Sequence, residues 1–282
     1  DSLLNMPSGC FEQTSSSTYP NILALDYMVL TGQITPEIEL KARDYISQGY
    51  QRLLTYECTG GGFVWFGDPS PANVILSAMG VMEFADMNKV IEIDEAVIAR
   101  TVDWLLSAQK SDGSWHTDQG SEFATVQYDD PKTTAYVSWA LGESAQAPSA
   151  TGLANDWLET YAYAPDTDVY ALALIATAYS ASEPDSQRAS HVFGRLADLA
   201  VENEGLVYWA FAGGNSWGGD GGSSDGGNIE VTAYVIQALM RAGSHMDLVG
   251  GAVAWLASNK DSFGNWGTTH ATIQSLRAMI MS

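Results

Sequence analysis

Cys10 and Gln13, in the run Pro7-Ser8-Gly9-Cys10-Phe11-Glu12-Gln13, are the residues whose types and spacing suit a specific reaction. Side chains three apart in a helical turn are neighbours on one face. A Cys thiolate held there can attack the Gln side-chain amide carbon, expel ammonia and leave a thioester joining Cys10 to Gln13. Only an adjacent, preorganised pair can make so strained an acyl group. Gly9 supplies the backbone freedom that the turn needs. Glu12 is placed to relay a proton during ammonia loss, and a helix start behind the pair favours negative charge on sulfur. The same residues also read as a buried structural thiol, or as a disulfide from Cys10 to Cys58, the only other cysteine. Spacing alone leaves both readings open.

The rest of the composition narrows the class. The chain has 282 residues, with 12 Lys+Arg against 34 Asp+Glu and a formal charge of −22. That balance excludes a phosphate-binding surface, because nucleic-acid affinity is built on Lys/Arg neutralisation; nucleic acid and anionic lipid are not expected partners. With 46% apolar and 16% charged residues, the chain reads as folded rather than as an acidic disordered tail. No apolar run is long enough to span a membrane. The start, DSLLNMPSGC, lacks the basic and apolar regions of a signal peptide and reads as a cut within a longer protein. Two cysteines cannot form a four-Cys metal cluster, and no metal or cofactor is expected.

The elements that must position Cys10 and Gln13 are helices. Apolar residues at three- and four-residue spacing predict eleven segments, 20–31, 36–56, 72–88, 94–109, 131–144, 150–162, 167–181, 185–201, 228–242, 246–259 and 269–281, with almost no strand pattern. Thr35-Pro36 and Glu183-Pro184 place Pro at first turns, and Asp94-Glu95 puts carboxylates at a positive helix end. The segments alternate. NILALDYMVL, NVILSAMGVM, KTTAYVSWAL, DVYALALIAT, EVTAYVIQAL and HATIQSLRAM are nearly free of charge and must be buried all round. Those between them, such as DEAVIARTVDWLLSAQK and DSQRASHVFGRLADLA, carry charge on one face and belong outside. TAYVxxAL recurs at Thr134–Leu141 and Thr232–Leu239, marking an internal repeat. Gly-rich aromatic turns at 60–67, 112–115, 213–219 and 263–266 each follow an outer segment and precede an inner one. The expected fold is therefore all-α, an α/α toroid of six inner helices sheathed by five outer ones, in one domain over 1–282. Cys10 and the Gly/Trp turns should lie at one end of the inner helices, with Trp plugging that end.

With its context added, PxGCxEQ followed by TYPNILALDYM resembles the thioester-containing domain of the alpha-2-macroglobulin and complement family, where a GCxEQ motif opens an α/α toroid. GGFVWFGDPSPANVILSAMGVMEFA, QKSDGSWHTDQG and FGNWGTTHATIQSL carry the likeness along nearly the whole chain. Phe11, where complement proteins carry Gly, points to the bacterial alpha-2-macroglobulin branch. The resemblance implies a single-use covalent trap rather than a catalyst. The acyl group of Gln13 passes to a nucleophile of a target protease or surface, usually a Lys amine, in a protein with flanking domains, extracellular or periplasmic. Complement proteins use a His in the loop before the third inner helix to redirect reactivity to hydroxyls. The matching stretch, about Gly120–Asp130, has Glu122, Gln127, Asp129 and Asp130 but no His, which implies direct transfer to amines.

Two histidines qualify this expectation. His116 lies in the same loop a few residues early, and reads equally as a solvated loop residue. His270 opens the last inner helix, which a closed ring would bring beside the first. Phe11, Tyr19, Trp65, Phe66 and Trp266 could shield a thioester from water or simply plug the barrel. Asp220, Ser223, Ser224 and Asp225 offer oxygen ligands, but their spacing fits no EF-hand. Two other functions fit the pattern less well. Gln109-x3-Gly113-x-Trp115 resembles the QxxxGxW turns of terpene cyclases, but neither DxDD nor DDxxD occurs. A binding scaffold with an inactive Cys10/Gln13 pair is the other.

Overall fold

The computed structural model describes residues 6–67, 71–116, 129–211, 224–262 and 264–282, the side chains of 224 and 225 excepted. Its helices fall into two compact units, Asp1–Ala108 and Gln109–Ser282. The first unit holds α1 (Phe11–Leu30), α2 (Pro36–Leu54), α3 (Val74–Met87) and α4 (Glu95–Ala108). The second holds α5 (Asp130–Glu143), α6 (Pro148–Tyr163), α7 (Val169–Ser182), α8 (Gln187–Asp198), a hairpin of β1 (Val201–Asn203) and β2 (Leu206–Tyr208), α9 (Ser224–Ala242), α10 (Met246–Ser258) and α11 (Thr269–Met281). The class is all-α, and each predicted segment has its helix.

Burial follows the charge pattern. On α7 every residue from Tyr170 to Ser180 is buried, as the uncharged sequence requires. On α8 only Ala189, Val192, Phe193 and Leu196 are, a single stripe at three- and four-residue spacing. In the second unit α5, α7, α9 and α11 pack side by side in that order, with α6 behind α5, α8 behind α7 and α10 behind α9. In the first unit α1 packs on α3, with α2 against α1 and α4 against α3.

One device joins the turns to the inner helices. Backbone N–H groups of aromatic turn residues donate to a hydroxyl on the inner helix that follows: Phe63 to Ser77 at 2.9 Å, Trp115 to Thr134 at 3.0 Å, Trp209 to Thr232 at 3.1 Å and Trp266 to Thr272 at 3.0 Å. The indoles of Trp209 and Trp266 then donate to carbonyls near the ends of outer helices, at Leu196 and Leu256. The Trp209 and Trp266 turns are thus pinned at both ends by groups that would otherwise be buried unsatisfied. The third turn uses Trp209, not the 213–219 stretch singled out above, which lies outside the described residues.

Three details differ from the sequence expectation. Helix α1 begins at Phe11 rather than near 20, so the Cys/Gln motif is its first turn. The Ser/Thr run before Pro20 hid the apolar spacing. Burial of Phe11, Thr14, Ser15, Thr18, Tyr19 and Ile22 carries the helix through the proline. Helix α8 starts at Gln187, because the Ser186 hydroxyl caps it by accepting from Ala189 N–H, leaving Pro184 in the preceding turn. The chain expected to continue that helix to 201 instead enters the β1–β2 hairpin, whose turn takes Glu204 and Gly205 at positive φ.

Candidate functional site

The first turn of α1 holds the Cys/Gln pair in a reciprocal cap. Cys10 is the N-cap residue, with extended backbone, and Gln13 sits three residues on at the third helical position. The Cys10 side chain faces the Gln13 backbone N–H, and the Gln13 side chain reaches back to Cys10. Its Oε1 accepts from the Cys10 backbone N–H at 3.0 Å. The Cys10 carbonyl meanwhile accepts the first helical bond, from Thr14 N–H at 2.8 Å. Cys10 is half-buried and Gln13 exposed, so the amide carbon is open to solvent-borne reactants. A donor already aimed at Oε1 is what attack on that carbon needs, because negative charge develops on the oxygen.

Gly9 makes this geometry possible. Its φ is +86°, and a Cβ built on it would fall 2.1 Å from Gln13 Oε1. The position therefore excludes any side chain, on grounds of backbone conformation and of space. The Gly9 carbonyl accepts from Arg52, at 3.1 Å from Nε and 2.6 Å from Nη2, and from the Tyr56 hydroxyl at 2.5 Å. Arg52 Nε also reaches Thr14 Oγ1 at 3.2 Å. Arg52 lies at the end of α2 and Tyr56 just beyond it. Sequence reasoning missed both, since nothing local links them to a glycine more than forty residues earlier.

Around the pair, Phe11 N–H donates to the Trp65 carbonyl at 2.9 Å, and its buried ring packs edge-on against Tyr56 and tilted against Phe63. This ties the motif to the 60–67 turn within the first unit. Glu12, the expected proton relay, accepts from the Trp65 indole at 3.4 Å. Of the aromatics expected to shield the site, Phe11 and Tyr19 are buried in the core, Trp65 is half-buried and Phe66 is exposed; Trp266 is buried in the second unit.

Beneath the motif α3 carries two carboxylates. Asp86 accepts from the Tyr19 hydroxyl and from Lys89, each at 2.7 Å. Glu83 is fully buried, and neither of its oxygens has a hydrogen-bond partner among the described residues. Burial pushes its carboxyl up to about 8, and the Asp86 charge acts in the same direction.

No disulfide joins Cys10 and Cys58. Burial first, then the charge of Glu57, pushes the Cys58 thiol up. The histidines lie in the second unit. His116 Nδ1 is 2.7 Å from Asp130 Oδ2 and 2.6 Å from Lys110 Nζ, on an exposed edge. His270 is enclosed, with Nε2 at 2.5 Å from the Tyr234 hydroxyl and 3.4 Å from the Gln274 amide nitrogen. Burial lowers it to about 3, so it is neutral at physiological pH. Asp129 caps α5 by accepting from Lys132 N–H at 3.1 Å, while the buried Lys132 ammonium pairs with Asp168 at 2.8 Å. Glu122, Gln127, Asp220 and Ser223 lie outside the described residues, as do the side chains of Ser224 and Asp225. Among the described residues no group of three His, Cys, Asp or Glu could hold a metal, and no helix is long and apolar enough to cross a membrane.

Comparison with known proteins gives the family. A family model described as the A-macroglobulin TED domain matches residues 1–281. The chain is 29% identical to ovostatin of Gallus gallus over 98% of its length, and 28% identical to alpha-2-macroglobulin-like protein 1 of Mus musculus over 99%. It spans about a fifth of the length of these relatives, 20% in each case.

Proposed function

The chain belongs to the A-macroglobulin TED domain family, and from that premise we propose that Cys10 and Gln13 form an internal thioester that captures a target covalently and once. In closure, Cys10 Sγ bonds to the Gln13 amide carbon and the C–N bond breaks, releasing ammonia. In capture, an amine nitrogen bonds to that carbon, the C–S bond breaks, and Cys10 leaves as a thiolate that takes a proton. The target carries a new amide on Gln13. Nothing is regenerated, so the domain is a trap rather than an enzyme.

The observation that carries this reading is the Cys10 N–H bonded to Gln13 Oε1 at 3.0 Å at an open helix start. It holds the amide in place for the thiol and stabilises the charge that forms on Oε1 in both steps. Amines are the preferred nucleophiles: among the described residues before α5, Asp129 caps the helix and the one histidine, His116, is held by Asp130 on an exposed edge. His116 and His270 stay candidates for assisting transfer, and Glu12 for moving the proton. The parent protein places the domain outside the cytoplasm among flanking domains, and its targets include attacking proteases. The acidic surface steers basic targets to it, less strongly in salt. A bacterial source, suggested by Phe11, is part of this proposal; the relatives named above are from chicken and mouse.

The test is peptide mapping after incubation with a lysine-containing peptide. The expected result is an amide-linked adduct on Gln13 with the Cys10 thiol newly exposed. An adduct elsewhere, or none from a domain shown to be closed beforehand, contradicts the proposal.

A further inference from the structure

We infer that Arg52 and Tyr56 are positioning residues for the thioester: by gripping the Gly9 carbonyl they fix and strengthen the Cys10 N–H as the donor to the reacting oxygen of Gln13. The inference rests on the thioester reading and adds two residues that the motif does not contain.

The geometry lies in one peptide group. The Gly9 carbonyl and the Cys10 N–H belong to the same planar unit, and in a trans peptide they point in opposite directions. Arg52 and Tyr56 hold the oxygen end, and Gln13 Oε1 occupies the hydrogen end at 3.0 Å. Rotating this plane to seek other partners would break three donors' bonds to the oxygen at once. Gly9, at φ +86°, is the residue that would otherwise let the plane swing, so a clamp is needed where the backbone is most free. The clamp also acts electronically. A carbonyl that accepts from a guanidinium draws electron density from its nitrogen and makes the N–H a better donor.

The use of Arg52 is itself informative. In a chain with 12 Lys+Arg against 34 Asp+Glu, the usual fate of a guanidinium is a carboxylate, as Arg43, Arg100, Arg188, Arg241 and Arg277 show. Arg52 forms no ion pair among the described residues, and directs Nε and Nη2 to a main-chain oxygen beside the reactive pair. Its fork also takes in Thr14 Oγ1, locking the first turn of α1 to the end of α2. When a nucleophile attacks the thioester carbon, Oε1 becomes the oxyanion and the Cys10 N–H is the group that meets it.

The experiment compares the wild-type domain with Arg52→Gln, Arg52→Lys and Tyr56→Phe. Intact mass gives the closed fraction, the rate of ammonia-derived mass loss being replaced by methylamine gives aminolysis, and iodoacetamide labelling of Cys10 after aminolysis reports access to the turn. Arg52→Gln is expected to slow aminolysis about tenfold, a fraction of what losing an oxyanion donor costs. Tyr56→Phe should slow it less, Arg52→Lys should recover part of the rate, and Cys10 labelling should not change. A variant that keeps the wild-type melting temperature but closes no thioester supports the clamp as well, since closure passes through the same oxyanion. Wild-type aminolysis in both Arg52→Gln and Tyr56→Phe overturns the inference, as does a parallel loss of labelling and melting temperature, which would make the contacts merely structural. A closed wild type with unresponsive variants sinks the clamp alone; a wild type at full sequence mass sinks the thioester reading and the clamp with it.

Discussion

The Cys10 backbone N–H donates to Gln13 Oε1 at 3.0 Å, and the pair shares the first turn of one helix with no residue from a distant element between them. In the proposed thioester, the donor and acceptor are the backbone of the leaving group and the side chain of the acyl group. Everything else near the site either holds that bond in place or stays out of its way.

Gly9 is the residue least able to change. Gly9→Ala would set a methyl 2.1 Å from Gln13 Oε1 and impose a left-handed conformation on a residue with a side chain. The expected result is loss of the closed form, with about 1–2 kcal/mol of destabilisation from the backbone alone. Intact mass and thermal melting check both parts; a closed Gly9→Ala domain would contradict the steric account.

Stability should depend on pH through two buried groups of opposite sign. Glu83 rises from its ordinary 4.5 to about 8, so between those values the folded chain holds a proton that the unfolded chain has lost, and stability falls as pH rises. His270 drops from 6.5 to about 3, so between those values the unfolded chain holds the extra proton, and stability rises with pH. The two effects, each roughly 1.4 kcal/mol per pH unit, oppose one another where the windows overlap. Melting curves should show a plateau from 4.5 to 6.5 and a decline from 6.5 to about 8. Glu83→Gln should remove the alkaline decline, and His270→Gln should flatten the acid side.

The hydroxyls that receive the turn N–H groups should matter more than their polarity suggests. Thr232→Val keeps the shape but leaves the Trp209 N–H, at 3.1 Å from the hydroxyl, buried without an acceptor. The expected cost is about 1–3 kcal/mol by urea or thermal unfolding. A neutral result would mean that the turn finds another acceptor.

Acyl transfer should favour methylamine over glycerol. An unprotonated amine is intrinsically the better nucleophile, and a general base or acyl-imidazole would have to contribute about 10²–10⁴ to the hydroxyl route. His270→Ala and His116→Ala should leave the ratio unchanged: His116 is engaged by Asp130 at 2.7 Å, and His270 is enclosed and neutral. Competition by glycerol that either substitution abolishes, with methylamine spared, would assign that His the hydroxyl-directing role.

The helices and the meeting of Cys10 with Gln13 were legible in the sequence because both depend on short-range spacing. The uncharged run of α7 and the single apolar stripe of α8 announce their burial directly. The three-residue interval from Cys10 to Gln13 likewise announces their contact. The true start of α1 was hidden, since between Phe11 and Tyr19 its buried face is made of Thr14, Ser15 and Thr18. The Arg52 and Tyr56 bonds to Gly9 were invisible for a different reason: they join a main-chain oxygen to side chains far along the chain, and a carbonyl leaves no mark in the sequence. Glu83 gave no warning either, sitting with Asp86 near the end of an otherwise apolar segment.

The central claim is tested most directly by the intact mass of freshly purified domain, kept from amines and heat and measured without reduction. A population one ammonia lighter than the sequence, which methylamine converts to the amidated mass with the gain of one titratable thiol, is the predicted result. The full sequence mass with both thiols already titratable, or a Cys10–Cys58 disulfide, would contradict it.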